Sequence, residues 1–190
     1  PLTLIALVWL VVTALAASFA GVISPFDPSE IAILNRLQPP GSMSELGEVH
    51  WLGTDQLGRD VLSRLIYGAR ISLLVGITTV IIGGTLGLVL GLFSGFVGGI
   101  TDDVIMRLAD IQLAFPNILL YIAVLSVLGS GLDKIVITLG FAGWVVYARV
   151  VRGEVLSVRE RVFVTAARSI GCSNRRLLVR HILPNIVAPI

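Results

Sequence analysis

Cysteine, histidine and lysine are nearly missing from these 190 residues: one Cys, two His, and a single Lys at position 134. A lone Cys172 excludes a disulfide within the chain, and no Cys/His cluster has zinc-site spacing. His50 and His181 stand far apart without the partners a metal site needs. A phosphate-binding P-loop requires Gly-x-x-x-x-Gly-Lys-[Ser/Thr]. Lys134 sits in "LDKIV", with neither glycine nor hydroxyl in place, so the chain has no P-loop of its own. No Ser/His/Asp set or carboxylate pair stands out either, so no catalytic, cofactor-binding or metal residue is assigned. Charge is scarce too: 14% of residues, against 55% hydrophobic, with a mean hydropathy of +0.94. Soluble domains average about a quarter charged residues, so this is membrane composition.

What fills the chain instead is a series of uncharged runs. The first, "PLTLIALVWLVVTALAASFAGVISP", predicts a transmembrane helix over residues 1–24, long enough for a hydrocarbon core of about 30 Å. A cleaved signal peptide is the alternative, because "ALAASFA" offers small residues, but the run exceeds the usual signal core of about 7–15 residues. Starting at Pro1 rather than Met, the chain is expected to lack an amino-terminal piece. Residues 71–100 form the clearest span, thirty residues without charge. Within it Gly83, Gly87, Gly91, Gly95 and Gly99 recur every four residues, a stripe that lets another helix approach closely.

A third span is expected over residues 104–128 and a fourth over 135–151, joined by the short turn "GSGLDK" as an antiparallel hairpin. The third carries Asp103, Arg107 and Asp110 near its start, spaced for i,i+4 and i,i+3 pairing, then Gln112, Pro116 and Asn117. A charge at the bilayer centre costs about 2.5–3.5 kcal/mol, so these residues are expected at the interface or against protein. Lining a pathway is the sharper alternative. After Pro184 a new apolar segment, "NIVAPI", begins.

Arginine sets the orientation. Between Ser24 and Arg70 there are four Arg against six acids, whereas between Arg149 and Arg180 there are eight Arg against Glu154 and Glu160. The positive-inside tendency makes the second segment cytoplasmic and the first external, and three crossings between them agree. Residues 59–70 read as an amphipathic helix on the outer interface. Val61, Leu62, Leu65, Ile66 and Ala69 lie on one face, with Arg59, Ser63, Arg64 and Tyr67 largely opposite.

The arginine-rich stretch has a second pattern. Val162, Phe163, Ala166 and Ile170 share a helical face, Gly171 is a helix stop, and Ser173 is placed to cap a short helix carrying Leu177, Leu178 and Ile182. Pro184 is expected to mark the boundary before the next span. An ordinary solvated loop at lipid head groups explains the arginines but not the helix–glycine–helix order. A DNA-binding helix-turn-helix resembles that order, but spans on both sides hold the segment against the bilayer, so nucleic acid is not expected as a partner. The third reading is a rigid cytoplasmic knuckle that fits a groove on a soluble partner.

The stretch "TAARSIGCSNRRLLVRHILPN" resembles the EAA loop of permease subunits from bacterial ATP-binding-cassette importers. Ala166 and Ala167 are followed after three residues by Gly171, and nine residues further on come His181, Ile182, Leu183 and Pro184. Thr165 stands where the family pattern has Glu. "HWLGTDQLGRDVLSRLIYGARISLLVG" and "DIQLAFPNILL" are similar to the dipeptide/oligopeptide/nickel branch, the first through Leu52, Gly53, Thr54, Asp55, Gly58, Arg59 and Asp60.

The resemblance implies an all-α polytopic bundle of the type I importer permease fold, incomplete at both ends. Its parts would be a first transmembrane helix over 1–24, a periplasmic segment over 25–70, and a permease core over 71–190 with a coupling loop at 153–184. It implies location in the bacterial inner membrane, two cytoplasmic ATPase subunits, a second homologous permease subunit, a periplasmic substrate-binding protein and surrounding lipid as partners. No cofactor is implied in this chain, and ATP hydrolysis belongs to the partners. ATPase coupling falls on Thr165, Ala166, Ala167, Arg168, Gly171, Ser173, Arg175, Arg176, His181 and Pro184. The implied cargo is di- or oligopeptides, the alternatives being nickel or another small solute, or a stand-alone channel.

Overall fold

A computed structural model of the chain describes residues 2–44 and 47–186, and these are helical apart from connecting segments and one pair of two-residue strands. They divide into two compact units, residues 1–76 and 77–190.

The first unit opens with α1 (Leu2–Ser18), broken at Phe19 from the short α2 (Ala20–Ile23). α1 has no polar face, and its side chains are exposed all round except for buried Ala17 and half-buried Thr13 and Ala16. That pattern suits lipid or a partner rather than water. An irregular segment follows, with one tight turn at Ile33–Asn35. It then folds back as β1 (Ser42–Met43) paired antiparallel with β2 (Val49–His50), Ser42 opposite His50.

α3 (Val61–Val97) runs 37 residues without a break. At 1.5 Å per residue this is about 55 Å, well beyond a hydrocarbon core of about 30 Å. Residues 61–70, expected as a separate interfacial helix, are therefore the first turns of α3. No glycine or proline interrupts the helix before Gly68, and helical spacing carries straight through. The expected faces also shift. Ser63 is fully buried, bonded to Asp60 and to the Phe26 amide, whereas Leu65 is exposed.

In the second unit the expected third span is two helices, α4 (Gly99–Leu113) and α5 (Asn117–Leu128), bent by 91° at the break. Pro116 explains this: it has no amide hydrogen to continue the ladder, and it pushes Phe115 out of the helical region. Its carbonyl restarts the ladder by accepting from the Leu119 and Leu120 amides, at 2.9 and 3.2 Å. α6 (Leu132–Arg159) packs antiparallel to α5 after a three-residue turn. It runs eight residues past the expected span, so Arg149, Arg152 and Arg159 lie on a helix, and the loop expected from residue 153 starts inside it. Val145, Ala148, Val151, Val155 and Val158 form one buried stripe along α6, and this stripe keeps the last two turns helical.

Beyond it lie α7 (Val162–Ser169), α8 (Asn174–Arg176), a π-helical stretch (Leu177–Ile182) and α9 (Leu183–Ile186). The last three run together, so Pro184 sits inside helical structure rather than ending it. The wide i→i+5 turns precede the proline, with the Leu183 amide donating to the Leu178 carbonyl. A π-helical bulge of this kind is a usual way to accommodate a disrupted ladder. Of the apolar segment expected after Pro184, only Asn185 and Ile186 fall within the described residues.

Candidate functional site

Four of the five striped glycines lie against α6. A β-carbon on Gly83 would stand 2.9 Å from the Gly140 carbonyl oxygen, and one on Gly91 would stand 2.6 Å from the Ala148 carbonyl oxygen. At Gly87 it would meet the Tyr147 side chain, with the Trp144 carbonyl oxygen 2.6 Å away, and at Gly95 the Val155 side chain at 2.8 Å. α3 and α6 thus approach backbone to backbone, in the small-residue mode of membrane helices. Gly99 departs from the stripe. It lies beyond the end of α3, has φ +56, opens α4 after Gly98, and nothing lies within 4 Å of its β-carbon position. The four-residue period ends because the helix that carries it ends.

The end of α3 is held by α6. Arg159 Nη1 donates to the Gly95 carbonyl at 3.0 Å, meeting an acceptor in the last turn of α3. Next to it, Arg152 grips Asp102 with both ends of its guanidinium, Nε to Oδ1 and Nη2 to Oδ2, each at 2.5 Å. Buried Ser94 of α3 donates its hydroxyl to the same carboxylate. Asp102 lies in the first turn of α4, where the helix dipole also favours an anion. One carboxylate thereby ties three helices together. Sequence reading singled out Asp103, Arg107 and Asp110 and missed this lock. Asp110 does take part in an ion pair, but with Arg149 of α6 at 2.6 Å rather than with Arg107. Gln112 also reaches α6, donating to the Ala142 carbonyl at 2.6 Å and accepting from Trp144 Nε1 at 2.9 Å.

The lock is partly exposed, its side chains 17% and 33% accessible for Asp102 and Arg152. Its worth therefore falls between a surface pair and a fully buried one. Arg152→Gln and Asp102→Asn are each expected to cost about 1–2 kcal/mol of stability. The double variant is expected to cost less than their sum, as a thermal-unfolding double-mutant cycle checks.

The arginine-rich knuckle has a defined closure. The Gly171 amide donates to the Arg168 carbonyl at 3.0 Å and the Cys172 amide to the Ala167 carbonyl at 3.1 Å, the two bonds of a Schellman motif ending α7. Gly171 has φ +83, the left-handed value this position requires. Ser173 occupies the N-cap of α8, but its hydroxyl makes no capping bond. Thr165 donates its hydroxyl to the Arg161 carbonyl at 3.3 Å, within its own helix.

Two faces then separate. Val164 and Ala167 of α7, Leu177 and Ile182 of the π-helical stretch, and Ile186 pack into one cluster with the α6 valines and Leu92. Opposite, the face formed by Val162, Phe163, Ala166 and Ile170 is turned outward, with Val162 85% and Ile170 86% exposed. The two alanines therefore divide, Ala167 into the cluster and Ala166 to the surface, because neighbouring residues are about 100° apart on a helix. Thr165, Arg168, Gly171, Ser173, Arg175, Arg176 and Pro184 are all exposed, and His181 is half-buried. The knuckle is thus a surface with an apolar centre and basic neighbours, bolted from behind to the end of α6.

The motif from Leu52 to Asp60 builds the entrance to α3. Asp60 is its cap: Oδ2 accepts from the Ser63 amide and hydroxyl, each at 2.7 Å. Thr54 accepts from the Gln38 amide at 2.8 Å and donates to the Asn35 carbonyl, stitching the motif to the preceding turn. Gly58 has φ +76, and a β-carbon there would collide with the Ala32 backbone. Half-exposed Leu52 makes the outer side of the turn. Gly53 has φ +75 and lies against Gln38 and Pro39.

Asp55 gathers the Leu57 amide at 2.8 Å, the Arg59 amide at 3.1 Å, the Arg59 guanidinium at 2.8 Å, and Arg64. Partial withdrawal from water pulls its pKa up, but the Leu57 and Arg59 amides and the Arg59 guanidinium outweigh this and hold it at about 2. An unfolded Asp titrates near about 3.9. The folded pKa is the lower one, so the stabilisation is present above about pH 4 and is lost as pH falls through about 2. Hydrogen exchange at the Leu57 and Arg59 amides is therefore expected to stay slow through pH 4 and on toward about pH 2, after allowing for the intrinsic pH dependence of exchange. Protection should fail as pH falls through about 2, and Asp55→Asn should weaken it at every pH above that.

Residues 87–190 match the family described as binding-protein-dependent transport system inner membrane component. The chain is 39% identical over 189 residues to the oligopeptide transport system permease protein OppC of Bacillus subtilis, covering all of this chain and 60% of that protein. It is 42% identical over 180 residues to the dipeptide transport system permease protein DppC of Alkalihalophilus pseudofirmus, covering 93% of this chain and 56% of that one. To the glutathione transport system permease protein GsiD of Escherichia coli it is 40% identical over 185 residues, 97% of this chain and 59% of the relative. It spans roughly three-fifths of the length of each of these relatives. The family match reaches from Gly87 in the glycine seam through the Asp102 lock and the whole knuckle, and on this ground the chain belongs to the binding-protein-dependent transport system inner membrane components.

Proposed function

We propose that this chain forms the core of a permease subunit in an ATP-driven importer of small peptides, and that the α7–Gly171–α8 knuckle receives the push from a cytoplasmic ATPase. One observation carries the reading: an exposed apolar helix face backed by a buried face that is packed into the end of α6. A soluble domain pressing on Ile170 and Ala166 would move α7, the π-helical stretch and the last turns of α6 together, because a close-packed cluster transmits displacement rather than absorbing it. α6 in turn lies against the glycine seam of α3, so the motion reaches the helices that would border a pathway.

In this reading residues 71–190 are the permease core and 153–184 the coupling segment, on the cytoplasmic side by the arginine excess. Residues 25–70 face outward and contribute to the surface where a substrate-binding protein docks. Two ATPase subunits and a second, homologous permease subunit complete the assembly, and ATP is split in the ATPases. Arg168, Arg175 and Arg176 supply polar contacts around the apolar centre. Peptide cargo is supported by the names of the relatives, two of them peptide permeases and one a glutathione permease.

Purifying the full-length subunit in mild detergent tests this. A separate nucleotide-binding protein is expected to copurify, and cells lacking the subunit are expected to lose uptake of short peptides. A subunit that transports alone, or a deletion strain with unchanged peptide uptake, would contradict the proposal.

A further inference from the structure

Between α4 and α6 lies an open cavity of about 380 Å³, lined by Met106, Asp110, Arg149 and Arg152. That volume falls within the range of small-molecule sites, about 300–1,000 Å³. α4 is fastened to α6 on both sides of it. The Asp102–Arg152 fork holds one end, and Gln112, bonded to the Ala142 carbonyl and Trp144 Nε1, holds the other. The two ion pairs differ in how much they leave free. Arg152 uses two nitrogens and both Asp102 oxygens, whereas Arg149 reaches Asp110 through Nη2 and Oδ1 alone, at 2.6 Å. Among the described residues, Arg149 Nε and Nη1 and Asp110 Oδ2 make no hydrogen bond, and the two side chains are 47% and 57% accessible. The pair therefore presents a free donor edge and a free acceptor oxygen side by side.

Its depth says what it faces. A hydrocarbon core of about 30 Å takes about 20 helical residues, and only fourteen uncharged residues separate Lys134 from Arg149 on α6. Lys134 has a long stem that reaches outward from the start of the helix. Arg149 is turned to Asp110 of α4, and so lies at the inner edge of the core rather than among the head groups. An accessible ion pair at that depth belongs on a polar path, not against lipid tails.

We propose that Arg149 and Asp110 bind the two charged ends of a small peptide in transit, Arg149 taking the terminal carboxylate and Asp110 the terminal ammonium. The guanidinium edge left free matches a carboxylate in two parallel bonds, and Asp110 Oδ2 accepts from the ammonium. Met106 lies against the side chains between the two ends. A lone anion would meet the Asp110 carboxylate beside the guanidinium, and a lone cation would meet Arg149. A molecule carrying both charges satisfies both. The inference rests on the import reading and adds to it the feature of the cargo that is recognised, its free ends.

The probe is dialanine, added to the assembled transporter in phosphatidylglycerol nanodiscs without its binding protein. Methionine methyls are ¹³C-labelled, and the Met106 signal is assigned by comparison with Met106→Leu. Dialanine is expected to displace this resonance saturably. Dialanine amide and N-acetyldialanine, each lacking one charge, are expected to bind about tenfold more weakly. The variants assign the ends: Arg149→Gln is expected to bind dialanine and its amide equally, and Asp110→Asn to bind dialanine and its acetyl derivative equally. An unmoved Met106 resonance would overturn the proposal. So would equal binding of the capped peptides by the unaltered transporter, or discrimination against a cap that survives in the matching variant. A resonance that shifts when phosphatidylethanolamine replaces phosphatidylglycerol, and then ignores dialanine, would assign the cavity to a lipid head group and overturn it as well. Loss of peptide uptake in a deletion strain alongside an unmoved resonance would sink this site alone and leave the import reading standing.

Discussion

Leucine at Gly91 is expected to leave the chain unable to assemble a stable bundle, and a fluorescent fusion followed through size exclusion is expected to show aggregated or degraded protein. The β-carbon alone would stand 2.6 Å from the Ala148 carbonyl oxygen and 2.7 Å from Val151 Cβ. Overpacking an ordinary core costs about 1–3 kcal/mol because side chains can shift. Here one of the atoms met is backbone, so relief requires α3 and α6 to move apart. Separation would also loosen the contacts at Gly83, Gly87 and Gly95. In lipid the loss is not made up by a hydrophobic drive, since packing itself holds the helices together. The expected cost is therefore about 3 kcal/mol or more, at the top of that range. Leucine at Gly84, one residue from the stripe with nothing within 4 Å of its β-carbon position, is the matched control and is expected to be tolerated.

The second large effect falls on coupling and spares the fold. Ile170→Glu replaces a side chain that is 86% exposed, so stability is expected to change by no more than about 0.5 kcal/mol. If Ile170 anchors the ATPase, a charge there removes an apolar hot spot worth about 2 kcal/mol, or about 30-fold in docking. Substrate-stimulated ATP hydrolysis and uptake are expected to fall together while membrane insertion stays normal. Gly171→Val acts on the same surface by another route. No neighbour lies within 4 Å of its β-carbon position, so the cost is not steric. It comes from φ +83, where an L-residue pays about 1–2 kcal/mol and a β-branched one more. The expected result is a distorted knuckle, abolished coupling and intact insertion. Gly171→Asn, which tolerates the left-handed region better, is expected to retain much of the activity.

How far the sequence revealed these features depends on whether local chemistry or tertiary packing decides them. Composition alone exposed the membrane class, and a four-residue glycine period exposed the seam, because helical spacing maps directly onto one face. Gly171 was legible for the same reason: a left-handed helix end leaves a local mark. The broken third span was not read, although Pro116 was noticed, because hydropathy continues unchanged through the break. The Asp102 lock was missed because its partners lie far apart in sequence, at positions 94, 102 and 152, and local charge spacing pointed to Asp103 and Arg107 instead. One signal was present: Asp102 lies a few residues past Gly98 and Gly99, in what becomes the first turn of a helix, where a carboxylate is favoured. In the knuckle, sequence named the shared face of Val162 and Ile170 but not its direction. That was decided by the valines of α6, which cover Val164 and Ala167 and leave the other side bare. Pro184 read as a boundary because proline usually ends helices, and the π-helical turns that accommodate it carry no pattern of their own.

The most direct measurement replaces Ile170, Ala166 or Val164 singly with cysteine in a Cys172→Ser background and treats the assembled transporter with a short bismaleimide. The account predicts a crosslink to the ATPase subunit from positions 170 and 166, strengthened by ATP, and none from position 164, which is buried against α6. A transporter that imports normally yet gives no crosslink from 170 or 166 would contradict it.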